Sequence, residues 1–132
     1  MQESSSKRGM RSKRVLLVNP HNAFREALAM LLNRESDLEV VWQAGSLDEA
    51  RGIHLDGIDI AVVEPVLGED WDGTVLLREV SVANPNASAL ALTGSLDLAV
   101  HQQALGAGAV EVLTTRASSE EVINAIRRSA EA

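Results

Sequence analysis

Five short apolar segments alternate along this chain with five segments in which apolar residues recur at helical spacing. The apolar segments fall at residues 15–18, 38–42, 58–63, 89–92 and 109–113. Strands that alternate with helices in this way pair in parallel, because each helix carries the chain back across one face of the sheet. The alternation therefore predicts an α/β fold, with a doubly wound sheet of five parallel strands and five helices.

The composition of the strands predicts their order. Strands 1, 3 and 4 are continuously apolar, as strands covered on both faces should be, whereas strands 2 and 5 contain Glu39 and Glu111 and suit the edges. The order 2-1-3-4-5 satisfies this distribution. Ligands of such sheets bind at the carboxyl ends of the strands, beside the point where strands 1 and 3 diverge. The residues expected at this rim are Asn19, Pro20, Glu64, Thr93, Thr114 and Thr115.

Polar residues indicate where three of the helices begin. Ser46 with Glu49, and Ser118 with Glu121, have the spacing of a capping box, in which each residue satisfies a backbone N–H of the other. Ser95 stands before the fourth helical segment and is expected to be its N-cap.

Length and composition restrict what else the chain can be. Its 132 residues are enough for one domain, and the absence of cysteine excludes a disulfide framework, a thiolate zinc site and cysteine catalysis. No apolar segment approaches the roughly 20 residues of a membrane span, and no apolar stretch of a secretory signal follows the N-terminus. We therefore expect a cytoplasmic location, no membrane partner and no cofactor.

The net charge of −7 is unevenly distributed. Residues 15–132 carry seven arginines and eighteen acids, a net charge of −11, so the folded part should repel nucleic acid. Residues 1–13 are basic and rich in Ser, and we interpret them as a disordered leader, with residues 14–132 as the domain. After Lys13 the chain contains no lysine.

Four strings, VLLVNPHNAFREALAMLL, AVVEPVLGEDWDG, ALTGS and GAVEVLTTRASSEEVINAI, occur in this order. Together they resemble the receiver domain of bacterial two-component response regulators, especially receivers attached to LuxR/NarL-type DNA-binding domains. The resemblance runs from about Lys13 to Ala130 and implies a flavodoxin-like (CheY-like) fold. It also implies a role in transcription regulation, with DNA contacted only through an attached helix-turn-helix domain that is outside this sequence.

The sequence departs from this family where the family's chemistry lies. Receivers generally hold Mg²⁺ with an acidic pair after strand 1, and here the pair is Asn19 and Pro20. The phosphate-accepting aspartate is replaced by Glu64, and the lysine after strand 5 by Thr115. Phosphoryl transfer depends on positioning and on cations that neutralise the transferring group. With the acidic pair and the lysine both absent, we expect a receiver fold that binds no metal and cannot carry out receiver chemistry.

Two other family positions are recognisable. Thr93 keeps the hydroxyl that normally follows the phosphate, and Val112 stands where receivers have an aromatic switch residue. Glu64 is then either a permanent mimic of a phosphorylated aspartate, reaching toward Thr93, or a tolerated acid in a pocket without catalytic constraint. We favour the second interpretation, because mimicry lacks the lysine partner.

The remaining candidates near the rim have ordinary explanations. Asp70 and Asp72 could bind a cation jointly with Glu64, but a solvated acidic loop is the favoured interpretation. Trp71 either plugs the vacant site or is an exposed contact for a partner. His21 is interpreted as the start of the first helix, without a ligand role.

Many receivers dimerise through helix 4, strand 5 and helix 5. The candidate interface residues are His101 and Leu105 in helix 4 and Arg127 and Arg128 in helix 5. At least one of Leu98 and Leu105 is expected in the core, and the two arginines also oppose the dipole of the last helix favourably.

Three functions compete at this point. The leading hypothesis is a receiver-like signalling module, not an enzyme, that works without phosphorylation by dimerising or by binding a protein partner. The second is a small-molecule sensor whose emptied phosphorylation pocket accepts an effector. The third is an enzyme, either a receiver still phosphorylated on Asp70 or Asp72 or a nucleotide-handling α/β domain. The nucleotide-handling version is disfavoured because no Gly-rich phosphate loop follows strand 1.

Overall fold

The computed structural model describes residues 12–68 and 71–131, and within these ranges five strands form one sheet. Every neighbouring pair of strands is parallel. The order is β2-β1-β3-β4-β5. The predicted order, with strands 2 and 5 at the edges, is therefore confirmed. The strands are β1 Lys13–Val18, β2 Leu38–Ala44, β3 Ile60–Val63, β4 Ser88–Thr93 and β5 Glu111–Thr114.

The helices cover both faces of the sheet, as a doubly wound fold requires. On one face, Leu32 of the first helix and Ile126 of the last belong to one apolar cluster with the sheet. On the other face, Leu77 and Ala104 belong to a second cluster. The helices are α1 Asn22–Asn33, α2 Leu47–Arg51, α3 Asp72–Ala83, α4 Leu98–Gly106 and α5 Ser119–Glu131.

The strand register brings the rim residues to one edge. Val18 and Val63, the last residues of β1 and β3, pair directly, so Asn19 and Glu64 follow at the same level. Thr93 ends β4 and pairs with Thr114, the last residue of β5. The edge where these strands end is the predicted rim.

Two of the three predicted caps are present. Ser118 N donates to Glu121 Oε1 (2.8 Å) and Glu121 N donates to Ser118 Oγ (3.1 Å), which makes a complete capping box. Ser46 Oγ accepts from Glu49 N at 3.2 Å, but the Glu49 carboxylate accepts from the N–H of Gly45 instead of Ser46. The α2 cap is therefore only half of a capping box.

The prediction that Ser95 caps α4 is wrong. The helix begins at Leu98, and Asp97 is its N-cap, accepting from Ala99 N at 2.9 Å. Ser95 Oγ accepts from Asp97 N at 3.1 Å and so orders the turn before the helix. Both residues are good cap types, and the course of the β4–α4 turn decides between them.

Gly73 is fixed by a close approach of two backbone segments. Its N–H donates to Pro65 O at 3.0 Å, which holds the first turn of α3 against the segment after β3. A Cβ at this position would lie 2.0 Å from Glu64 O and 2.5 Å from the Pro65 Cα. Only glycine allows this contact, which places α3 directly against Glu64.

The start of β1 corrects the predicted domain boundary by one residue. Lys13 already pairs with Leu38 of β2, so the folded domain includes Lys13. The rest of the predicted leader, residues 1–11, lies outside the described residues. Among the helices that are described, none has the length and apolar character needed to cross a membrane.

Candidate functional site

Three polar residues are buried where the central strands end. Asn19 and Glu64 are each 6% exposed and Thr93 is fully buried. Pro20 is half-buried, and Thr115 is exposed at the outer side of the rim. The structure thus brings the five predicted pocket residues to the same edge of the sheet, but only three of them lie inside.

The Glu64 carboxylate is held by two backbone amides. Oε1 accepts from Gly94 N at 2.9 Å and Oε2 accepts from Val66 N at 3.1 Å. The first bond joins the end of β3 to the turn after β4, and the second closes the turn after β3. The two N–H bonds give each oxygen of this buried carboxylate a hydrogen-bond donor.

Thr93 takes no part in holding this carboxylate. Its Oγ1 accepts from Ser95 N at 3.1 Å, so the hydroxyl orders the chain that leads to α4. Thr93 O accepts from Thr115 N at 3.0 Å, which continues the sheet past β5. Glu64 therefore reaches past the Thr93 side chain to the backbone of the next residue.

Asn19 is likewise occupied by local bonds. Its Oδ1 accepts from His21 N at 2.8 Å, a turn that starts α1. The atom that accepts this bond is the side-chain oxygen of Asn19, the atom of its amide group able to coordinate a metal ion. His21 is the N-cap residue of α1, as predicted, and makes no side-chain cap bond.

Arg25 is a rim residue that the sequence reasoning missed. Its Nη1 donates to Asn19 O at 2.7 Å and its Nε donates to Gln43 Oε1 at 3.1 Å. The guanidinium thereby joins α1 to the ends of β1 and β2 and places one cation at the rim. A usable signal was present, because Arg25 lies in the first turn of α1 and helical side chains lean toward the N-terminus.

Within residues 12–68 and 71–131, no group of three or more His, Asp or Glu residues converges in a way that could hold a metal ion. Asp72 begins α3, whereas Asp70 lies outside the described residues. Trp71 precedes α3 and is 37% exposed. Its backbone O accepts from Thr74 Oγ1 at 2.7 Å, which supports the first turn of the helix.

Comparison with known proteins relates this chain to a family. Residues 15–127 match the family profile described as Response regulator receiver domain. The chain belongs to the response regulator receiver domain family. The predicted resemblance is confirmed at that level, and the receiver domain acts in two-component signalling.

Individual relatives agree with this assignment. The response regulator protein VraR of Staphylococcus aureus is 26% identical over 116 residues, which cover 88% of this chain and 56% of VraR. This receiver domain thus spans little more than half of that curated relative.

Two solved structures share the fold. A LuxR-family two-component response regulator from Aurantimonas sp. SI85-9A1 has a TM-score of 0.81 and 26% identity, over 91% of this chain and 86% of that one. The signal receiver domain of the putative response regulator NarL from Mycobacterium tuberculosis has a TM-score of 0.78 and 23% identity, over 91% and 97%. The flavodoxin-like fold is therefore confirmed.

The α4 side of this receiver domain exposes apolar side chains. Leu98 is 66% exposed and Leu105 is 51% exposed, so the expectation that at least one of them is in the core is wrong. The residues are seven apart and share one face of α4, because two helical turns separate them. Val112 is partly buried and packs against the core cluster, whereas His101 Nε2 donates to Ser95 O at 2.8 Å.

The two arginines of α5 are engaged within the domain. Arg127 makes a two-bond pair with Asp37 (2.8 and 2.9 Å) and a 2.8 Å bond to Glu35. The hydrogen bonds to Asp37 and then to Glu35 raise the pKa of the Arg127 guanidinium above its ordinary value. Arg128 pairs with Glu111 of β5 at 2.9 Å. Arg127 therefore fastens α5 to the turn between α1 and β2. These contacts within the domain account for Arg127 without a role at an interface.

Proposed function

We propose that this receiver domain works without phosphorylation, as an interaction module of a transcriptional response regulator in the cytoplasm. The observation that carries the proposal is the Glu64 carboxylate, bound to the amides of Gly94 and Val66 at the phosphate-accepting position. A phosphoryl group at this position would link it to the β4–α4 turn only while the group is attached. In this domain the Glu64 side chain makes that link itself. The signalling surface is then held in one state.

The chemistry of the rim supports the same proposal. An incoming phosphoryl group needs a nucleophile and cations that neutralise its charge, normally Mg²⁺ held by carboxylates. Asn19 and Pro20 supply no carboxylate, and Asn19 Oδ1 already accepts a backbone bond. Thr115 replaces the lysine. The Arg25 guanidinium is bound to Asn19 O and Gln43.

The test is incubation with acetyl phosphate and Mg²⁺, followed by intact-mass measurement. We expect no phosphate mass increment on the unchanged protein. The Glu64→Asp variant should also remain unmodified, because it restores the acceptor without the metal ligands or the lysine. The variant that combines Asn19→Asp, Pro20→Asp, Glu64→Asp and Thr115→Lys is the positive control. A phosphate increment on Glu64 in the unchanged protein would overturn the proposal.

The output we propose is self-association, or binding of a protein partner, through the α4 face. Leu98 and Leu105 offer exposed apolar area there, and Leu96 (56%) and Val110 (50%), which flank α4 in the chain, are exposed as well. DNA would be contacted through an attached helix-turn-helix domain, in keeping with the LuxR-family neighbour. The charge of −11 over residues 15–132 disfavours direct DNA binding by the receiver domain.

Effector binding is the second candidate function. An effector was first expected in the emptied phosphorylation pocket. That position is occupied by the Glu64 carboxylate and the amides of Gly94 and Val66 that bind it. The observation that favours an effector is a separate apolar cavity between α1 and α5.

A further inference from the structure

A cavity of about 200 Å³ opens between α1 and α5, on the face of the sheet opposite α3 and α4. Its floor is formed by Leu28, Leu92 and Val122, which are 8% exposed or less. Apolar side chains also form its walls. The apolar lining residues are Phe24, Ala27, Leu28, Leu31, Leu92, Ala117 and Val122.

The polar groups of this cavity lie toward solvent. Thr115 and Ser119 line it and are exposed, and no bond to another described residue involves either hydroxyl. None of the described residues that line the cavity is charged. A molecule bound there would place an apolar body on the floor and one hydrogen-bonding group beside the two hydroxyls.

The size of the cavity indicates the class of occupant. Apolar cavities of about 150 Å³ hold a benzene-sized molecule, so about 200 Å³ suits one aromatic ring or two fused rings. A helix, about 10 Å across, is too wide to enter. The net charge of −11 over residues 15–132 disfavours an anion.

We propose that the cavity between α1 and α5 is a binding site for a neutral aromatic molecule of one or two rings with a single hydrogen-bonding group. Such a ligand would contact Leu92, which directly precedes Thr93 in β4. It would also contact Thr115, whose N–H binds Thr93 O. The site is thereby connected to the strand end that Glu64 fastens. This proposal does not depend on the absence of phosphorylation.

The test is titration of the ¹⁵N-labelled protein with indole, a neutral fused-ring molecule with one N–H. We expect saturable shifts of the amides of Leu31, Leu92 and Val122, with a Kd of about 1 mM or tighter. The Ala27→Phe variant should weaken binding about tenfold or more, because the added ring fills the cavity. Ala27 is exposed at the cavity wall, so this variant retains the core.

Ala83→Phe is the matched control, because Ala83 is an exposed helix residue on the opposite face of the sheet. It should bind indole as the unchanged protein does. Indole-3-acetate should bind about tenfold more weakly than indole, because its carboxylate meets an acidic domain. The proposal is overturned by non-saturating shifts, by equal binding to the Ala27→Phe variant, or by tighter binding of the carboxylate.

Discussion

At the scale of single residues, the rim is organised by backbone amides. Glu64 stands at the phosphate-accepting position, and its one additional methylene carries the carboxylate to the N–H of Gly94. Asn19 and Thr93 each bind an N–H two residues ahead and order the turns that follow β1 and β4. Arg25 adds a contact between two side chains, to Gln43 of β2. Residues at the family's phosphorylation positions thus join the strand ends and turns of the rim to one another.

Replacing Glu64 by alanine should therefore destabilise the domain. The amides of Val66 and Gly94 lose their acceptor, which costs about 2 kcal/mol of unfolding free energy. Denaturant unfolding measures the loss, and hydrogen exchange should show faster exchange at Gly94. Thr115→Ala, at the exposed side of the same rim, is the control and should change stability by less than about 0.5 kcal/mol. Equal stability of the Glu64→Ala variant and the unchanged protein would contradict this account of the rim.

At the scale of elements, the starts of the helices set their positions over the sheet. The first turn of α3 is placed by the Gly73–Pro65 backbone contact, and the first turn of α5 by the Ser118–Glu121 capping box. The α4 start is set by Asp97, two residues later than the sequence indicates. Backbone contacts and local caps thus position the helices around the rim.

Gly73→Ala should displace or destabilise α3. Its Cβ would lie 2.0 Å from Glu64 O, and both partners are backbone, so the strain cannot be relieved by a side-chain rotation. We expect a loss of about 3 kcal/mol in unfolding free energy. Gly106→Ala is the matched control, since a Cβ there meets nothing within 4 Å, and helix propensity should leave it neutral or stabilised by up to about 1 kcal/mol. A Gly73→Ala variant as stable as the control would be incompatible with the close approach.

The capping box of α5 should make stability depend on pH. Hydrogen bonds from the Ser118 N–H and then from its hydroxyl lower the pKa of Glu121 below its ordinary value of 4.5. Because the folded pKa is the lower one, the stabilisation is present above the unfolded pKa and is lost as the pH falls through the folded pKa. The difference in Tm between the unchanged protein and Glu121→Gln should be largest near neutral pH and should vanish in acid.

Glu120→Gln provides the comparison for this effect. Glu120 lies in the same first turn and is exposed, but it makes no hydrogen bond with Ser118. Its substitution should give a smaller Tm difference across the pH range. If both variants follow the same pH profile, the capping box does not account for the dependence.

At the scale of the whole molecule, the two sides of the sheet differ in what they leave to solvent. The α1–α5 side contains the apolar cavity, and the ion pairs of Arg127 with Glu35 and Asp37 join α5 to the turn after α1. The α4 side exposes Leu98 and Leu105. A charge reversal at Arg127 would therefore disturb the domain itself, whereas changes at the two leucines act on the surface alone. The leucines are the sharper test of association.

We expect the unmodified domain to self-associate with a Kd on the order of tens of micromolar, through an interface that buries about 1,000 Å² or more. The Leu98→Ser, Leu105→Ser double variant should weaken association about tenfold or more, because it removes apolar area at the centre of the proposed interface. Sedimentation equilibrium measures the change.

Val82→Ser is the control for this experiment, because Val82 is 82% exposed on α3. It should associate as the unmodified protein does. A protein that is monomeric at these concentrations before any substitution would remove self-association and leave a different protein as the partner.

The sequence by itself determined the order of elements, the order of strands and the capping box of α5. These features follow from local spacing and from how apolar each strand is, which the chain carries without reference to distant contacts. It also determined which family positions are altered, including Glu64 and Thr115. The identity of these residues was enough to predict that receiver chemistry is lost.

Only the tertiary structure decided where these side chains point and what they contact. Glu64 could reach Thr93 or an amide, and the path of the β4–α4 turn brings the Gly94 N–H to it. Arg127 pairs with residues about 90 positions away in the chain, a contact that helical spacing cannot reveal. Leu98 and Leu105 of α4 belong to a residue type that is usually buried, but they face solvent, because burial depends on how a helix is rotated against the sheet.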